Sequence, residues 1–300
     1  MITHNTASLL SFTFMAHKAS AYFKLLKFRL SFLVAFSSAI GFILGRPQTS
    51  YLDVALVMLG GMLVTGSANI INQVLEKDLD KLMKRTANRP LPTGQVSVLE
   101  AIVLCVVLGL SGLTILALQF NMLAAGLSLL SLILYGFVYT PMKRISPICV
   151  FIGAIPGGMP PLIGWVAATG VLGVEAWILF GIQFIWQFPH FWAIAWVLDD
   201  DYKKAGFKML PMTGGKNLKT AIQIMIYTLL LIPLGLLPMQ FGMTGTTSAM
   251  VAVVCGVLFL AQTFYLMRTC SKKAAMSIMF GSFLYLPIVQ IAFVLDKVSL

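Results

Sequence analysis

The chain has 300 residues, 59% of them hydrophobic and only 10% charged, with a mean hydropathy of +0.91. Those values lie far from the quarter-charged average of soluble domains and exclude an ordinary water-soluble globule. The net charge of +11 resides in short stretches between apolar runs; with no basic domain to grip a duplex, it is a topology signal and not a nucleic-acid footprint.

The opening residues, Met1 to Lys18, carry no basic segment before their apolar patch and no small-residue cleavage site. They read as part of a cytoplasmic lead-in, residues 1–24, and not as a secretory signal. Windows of about 19 residues then pick out nine apolar runs, centred on 30–45, 54–73, 101–119, 122–140, 148–168, 174–197, 221–239, 247–267 and 276–295. Each is long enough to span a bilayer as a helix. The first extends back to Lys27, and the third and fourth are joined by little more than Gln119 to Asn121, which predicts a tight helical hairpin. No Pro-, Ser- or charge-rich linker divides them, so residues 25–296 form one membrane domain.

Of the 21 Lys and Arg, all but Arg46 and Lys297 lie around the start of the first run or after an even-numbered one. The positive-inside rule therefore predicts a cytoplasmic N-terminus and a C-terminus on the opposite side. Cys105, Cys149, Cys255 and Cys270 are scattered and give neither a disulfide framework nor a zinc pattern. In the fifth run, Pro156, Pro160 and Pro161 stand among Gly153, Gly157, Gly158 and Gly164. Each proline removes a backbone donor, so a discontinuous helix lining a cavity is expected there.

Six of the ten acidic residues fall into two clusters at predicted helix ends: Glu76, Asp78, Asp80, and Asp199, Asp200, Asp201. Carboxylates beside a bilayer are costly unless a cation needs them. Asn72, Glu76 and Asp80, four apart, share one helical stripe that Lys84 continues; such a set holds either a hard divalent ion such as Mg2+ or merely intrahelical ion pairs. Arg85 and Arg89 beside it favour the first, because guanidinium forks grip phosphate oxygens. Gln183, Gln187 and His190 share a face of the sixth run, with Asp201 about three turns beyond His190. An intramembrane His at such a face points to haem or metal contact, proton transfer or substrate polarisation. After the fourth run, Tyr139 to Arg144 brings Lys143 and Arg144 to a membrane edge, as topology anchors or as phosphate-binding cations.

These residues resemble the UbiA-type membrane prenyltransferases. The family's N-x-x-x-D-x-x-x-D motif stands here as Asn72, Glu76 and Asp80, its Y-x-x-x-K motif as Tyr139 and Lys143, and its second aspartate motif as Asp199 to Asp201. The likeness runs from residue 20 to 295 and includes M-K-R-T-A-N-R-P-L-P-T-G (83–94), G-G-M-P-P-L-I-G-W (157–165), W-Q-F-P-H-F-W-A-I-A (186–195) and D-Y-K-K-A-G-F-K-M-L-P (201–211). Two departures stand out. Glu76 replaces the usual Asp, and the second cluster lacks D-x-x-x-D spacing.

The resemblance implies an all-α polytopic fold of about nine transmembrane helices around a central cavity, in a bacterial inner membrane. It implies Mg2+ on Asn72, Glu76, Asp80, Asp200 and Asp201, with Arg85, Arg89, Lys143 and Arg144 on a diphosphate. The implied chemistry is transfer from farnesyl diphosphate to a vinyl group of haem b, with water addition. Catalytic roles then fall to Asn72, Glu76, Asp80, Tyr139, Lys143 and His190, and the haem wall to Trp186, Gln187, His190 and Trp192. A downstream haem-modifying enzyme or terminal oxidase assembly is the candidate recipient. Two alternatives stand beside this: an aromatic quinone precursor as acceptor, and a cation-coupled transporter with a broken helix.

Overall fold

A computed structural model describes residues 17–211 and 215–298. The first sixteen residues of the expected lead-in lie outside that range. Among the described residues, regular structure is helical apart from a single isolated bridge between Thr244 and Lys297. The elements are α1 (His17–Leu25), α2 (Phe28–Leu44), α3 (Tyr51–Leu75), α4 (Lys77–Asp80), α5 (Val98–Gln119), α6 (Met122–Ile133), a π-helical turn (Leu134–Tyr139), α7 (Thr140–Ile145), α8 (Cys149–Thr169), α9 (Val174–Lys204), α10 (Leu218–Gln240), α11 (Thr246–Thr269) and α12 (Lys272–Leu295). Eight helical segments among the described residues are long and apolar enough to cross a membrane. A ninth span appears if α1 and α2, which meet at 47°, count as one.

Local chemistry sets most of these boundaries. Ser97 and Glu100 form a reciprocal capping box at the start of α5, and Ser50, Asn121 and Ser271 accept the first free amides of α3, α6 and α12. Asn121 thereby makes the α5–α6 hairpin as short as expected. Between α1 and α2, Lys27 takes a left-handed backbone, φ 48° and ψ 55°, which is uncommon for a side chain other than Gly or Asn.

Burying apolar surface gives helices little reason to pair in lipid, so close packing through small residues matters instead. At the crossing of α2 and α8, a methyl group on Gly41 would collide with the Pro161 carbonyl and one on Gly164 with the Ser38 carbonyl. Backbone therefore rests on backbone there. Gly60 and Gly112 do the same for α3 and α5, where a Cβ on Gly112 would stand 2.8 Å from the Gly60 carbonyl oxygen.

The expected break in the fifth run is absent. Helix α8 is continuous through Pro156, Pro160 and Pro161, and it is the most enclosed of the spans. Its neighbours explain the correction. Pro160 and Pro161 cannot donate to the carbonyls of Pro156 and Gly157, and those oxygens accept instead from Ser131 Oγ at 3.4 Å and Gln183 Nε2 at 2.8 Å. Gln183 Oε1 in turn accepts from Gln290, whose own oxygen accepts from Ser37. This chain of side chains ties α2, α8, α9 and α12 together, and with Ser131 it supplies donors to the two carbonyls that Pro160 and Pro161 leave unpaired.

Candidate functional site

A cavity of about 440 Å³ lies among α2, α3, α4, the α6–α7 span, α8, α9 and α12, with α5, α10 and α11 outside its wall. Its polar lining is concentrated where α3 ends. Helix α3 stops at Leu75 and Glu76 forms the joint, but the Asp80 amide still donates to the Glu76 carbonyl at 2.7 Å. The spacing of four is therefore kept across the joint. Asn72, Glu76 and Asp80 all line the cavity, each at most 4% exposed.

Each of the three meets a cation. Asp80 Oδ2 accepts from Arg89 at 2.7 Å, Glu76 Oε1 from Lys143 at 2.8 Å, and Asn72 Oδ1 from Lys27 at 3.3 Å. Asn72 is oriented from its other end, donating to Thr140 Oγ1 at 3.2 Å. Four cations in the wall, Lys27, Arg85, Arg89 and Lys143, thus face two carboxylates, an excess that favours an anionic occupant. Asp80 Oδ1 is buried without a hydrogen-bond partner. An orphaned carboxylate oxygen in such a place is costly unless something cationic meets it.

The π-helical turn sets Tyr139 and Lys143. The Thr140 amide donates to the Tyr135 carbonyl, five residues back, and Thr140 Oγ1 accompanies it at 2.9 Å. Pro141 follows, unable to donate to the preceding turn. Tyr135, Tyr139 and Lys143 all reach the cavity, with Lys143 Nζ 4.7 Å from the centre of the Tyr139 ring. Single π turns of this kind occur often at functional sites.

Several expected site residues stand elsewhere. Lys84 and Arg144 are exposed and do not line the cavity. Asp199, Asp200 and Asp201 are also outside its wall: Asp199 pairs with Lys203 at 2.8 Å, Asp200 with Lys216 at 3.2 Å, and Asp201 with Lys204 at 3.2 Å. Asp201 additionally accepts from the Arg85 amide at 3.3 Å and so joins the end of α9 to the loop after α4. Among the described residues, no three His, Cys, Asp or Glu side chains gather as a metal cluster. Of the residues expected to share a Mg2+ site, Asn72, Glu76 and Asp80 are thus brought together at the cavity, while Asp200 and Asp201 stand outside its wall. The Asn72–Glu76–Asp80 set suits Mg2+, which commonly takes one or two carboxylates and completes its shell with water and substrate phosphate.

On α9, Gln183, Trp186, Gln187 and His190 line the cavity, but Trp192 does not. Two residues beyond His190 a helix has turned about 200°, and Trp192 packs on Phe188 and Tyr227. Sequence reasoning missed Lys27, read only as a charge anchor, and Ser282 of α12, whose hydroxyl lies 2.8 Å from His190 Nδ1. A positive residue inside the first apolar run was the available signal for Lys27; Ser282 had none. With α8 continuous and the acids gathered where α3 ends, the broken-helix basis for a transporter disappears.

A family profile described as the UbiA prenyltransferase family matches residues 33–286. Over 285 residues the chain is 59% identical to the protoheme IX farnesyltransferase of Cytophaga hutchinsonii, covering 95% of this chain and 100% of that one. Its fold is similar to that solved for digeranylgeranylglyceryl phosphate synthase, with a TM-score of 0.78, 22% identity, and coverage of 94% of this chain and 99% of the other. A UbiA homologue from Archaeoglobus fulgidus bound to GPP and Mg2+ gives a TM-score of 0.64 at 18% identity, covering 91% and 99%.

Proposed function

The chain belongs to the UbiA prenyltransferase family, and from that premise we propose that it transfers the farnesyl group of farnesyl diphosphate to a vinyl group of protohaem IX, giving haem O and diphosphate. The observation that carries the diphosphate half of this reading is the buried Asp80 carboxylate. One of its oxygens is held by Arg89 and the other is unpartnered, in a wall where cations outnumber acids. The acceptor half is supported by the Cytophaga relative.

Asn72, Glu76 and Asp80 would hold Mg2+, which when bound supplies positive charge to the diphosphate oxygens. Lys143, Arg85, Arg89 and Lys27 face the same space and donate to the leaving group as its charge grows. Donors fixed before the reaction need no reorganisation, which makes such electrostatic stabilisation a large term. The C1–O bond of the farnesyl group breaks and its electron pair leaves with diphosphate. The vinyl π electrons form the new C–C bond to C1, water adds to the resulting porphyrin-side cation, and the water's spare proton is released. No redox change is needed.

The rings of Tyr135, Tyr139 and Phe191 in the wall offer π faces to the transient allylic cation. The bilayer keeps the isoprenoid chain at hand. The basic residues flanking α4 and following α9 support a cytoplasmic diphosphate end in an inner membrane, and a haem-modifying enzyme or terminal oxidase assembly is the recipient we assign to the product.

Release of diphosphate from farnesyl diphosphate tests this reading. It should require both Mg2+ and haem b and fall by about 10²-fold or more in Asp80→Asn. Release that continues without Mg2+, or unchanged turnover in that folded variant, would remove the metal assignment.

A further inference from the structure

The surroundings of His190 fix its tautomer. Its ring lies 4.4 Å from Trp186 and tilted only 18° from it, with Phe283 edge-on at 5.1 Å. Nδ1 stands 2.8 Å from Ser282 Oγ. A serine hydroxyl has a single proton, and Ser282 gives it to the Met279 carbonyl at 2.6 Å. Nδ1 must therefore be the donor to Ser282. In the neutral ring, Nε2 is left with its lone pair.

That lone pair is free. Among the described residues nothing hydrogen-bonds to Nε2, which is not among the buried unpartnered atoms, and His190 lines the cavity. Ser282 is fully buried, and its carbonyl also accepts from Trp186 Nε1 at 3.0 Å, so one residue of α12 sets both stacked rings. A metal-binding His characteristically donates its other ring N–H to such an acceptor, which orients it and raises its basicity.

We propose that Nε2 of His190 is an axial ligand to the haem iron of the acceptor, and that Ser282 is the positioning residue that fixes the ring for it. This rests on the haem-acceptor reading above. The tautomer separates the three roles open to the residue. A propionate needs a donor, and Nε2 is an acceptor. A proton carrier would have to exist as imidazolium, yet no carboxylate among the described residues is bonded to this ring, and a buried unpaired cation is costly. An iron bond uses the lone pair and leaves the ring neutral, as axial imidazole ligation does in many haem proteins.

The test is titration of the purified full-length protein with haem b, read by its Soret and visible absorption, with binding of a farnesyl diphosphate analogue measured in parallel. The unaltered chain should give an imidazole-ligated spectrum, His190→Ala should lose it, and added imidazole should restore it. Ser282→Ala should weaken haem binding by about 10–100-fold, Ser282→Thr should keep it, and analogue binding should be the same throughout. A spectrum in His190→Ala matching that of the unaltered chain, or full haem affinity in Ser282→Ala, would overturn the assignment. If the unaltered chain binds the analogue but no haem, the acceptor reading itself fails and the ligand assignment with it.

Discussion

At the scale of single residues, the polar end of the cavity is a set of charges that hold one another in readiness. Arg89 and Lys143 neutralise Asp80 and Glu76 at 2.7 and 2.8 Å, and Lys27 reaches Asn72. Removing one member of a buried pair leaves the other uncompensated, which costs about 3–5 kcal/mol. Arg89→Ala should therefore lower unfolding stability in detergent by that amount, and Mg2+ with a farnesyl diphosphate analogue should recover part of it by binding only the folded state. A loss under about 1 kcal/mol, the range of an exposed pair, would contradict the burial of this couple. The Asn72, Glu76 and Asp80 stripe was legible because a spacing of four survives the joint at Glu76. Arg144 and Trp192 were not, since a single step along a helix turns a side chain by about 100° and motif proximity does not record it.

At the scale of elements, α8 is the part that local rules misread. Three prolines argue against a helix when only their own segment is considered, but the donors that answer Pro160 and Pro161, Ser131 and Gln183, belong to other helices. Nothing in residues 149–169 announces those partners. Gln183→Leu removes the donor to Gly157 and the acceptor of Gln290, and unsatisfied buried groups cost about 1–3 kcal/mol each. Its melting temperature in detergent should fall clearly, while an unchanged value would show that the amide chain does not support α8. Gly164→Ala should be damaging for a different reason, because its methyl would press on the Ser38 carbonyl, and backbone cannot rotate aside as a side chain can.

At the scale of the molecule, hydropathy alone supplied the class of fold and nearly every span, because a bilayer imposes lengths that show directly in sequence. The one ambiguity is physical: α1 and α2 bend by 47° at Lys27, so the first span is both shorter and more broken than its composition suggests. The sidedness we propose rests on the distribution of basic residues and can be probed by single cysteines in a background free of the four native thiols. A cysteine at Lys84 should react only from the cytoplasmic face and one at Gln48 only from the other; labelling of both from one side would reverse the orientation. What sequence spacing could not convey was which of the two acidic clusters enters the cavity, because that depends on how α9 docks beside α4. The central claim concerns the acceptor. Purified protein incubated with farnesyl diphosphate, Mg2+ and an equal mixture of haem b and 4-hydroxybenzoate, followed by mass analysis, tests it most directly. The predicted product is haem carrying one farnesyl group and the hydroxyl of one water, with the aromatic acid unchanged; prenylated 4-hydroxybenzoate with unaltered haem would contradict the account.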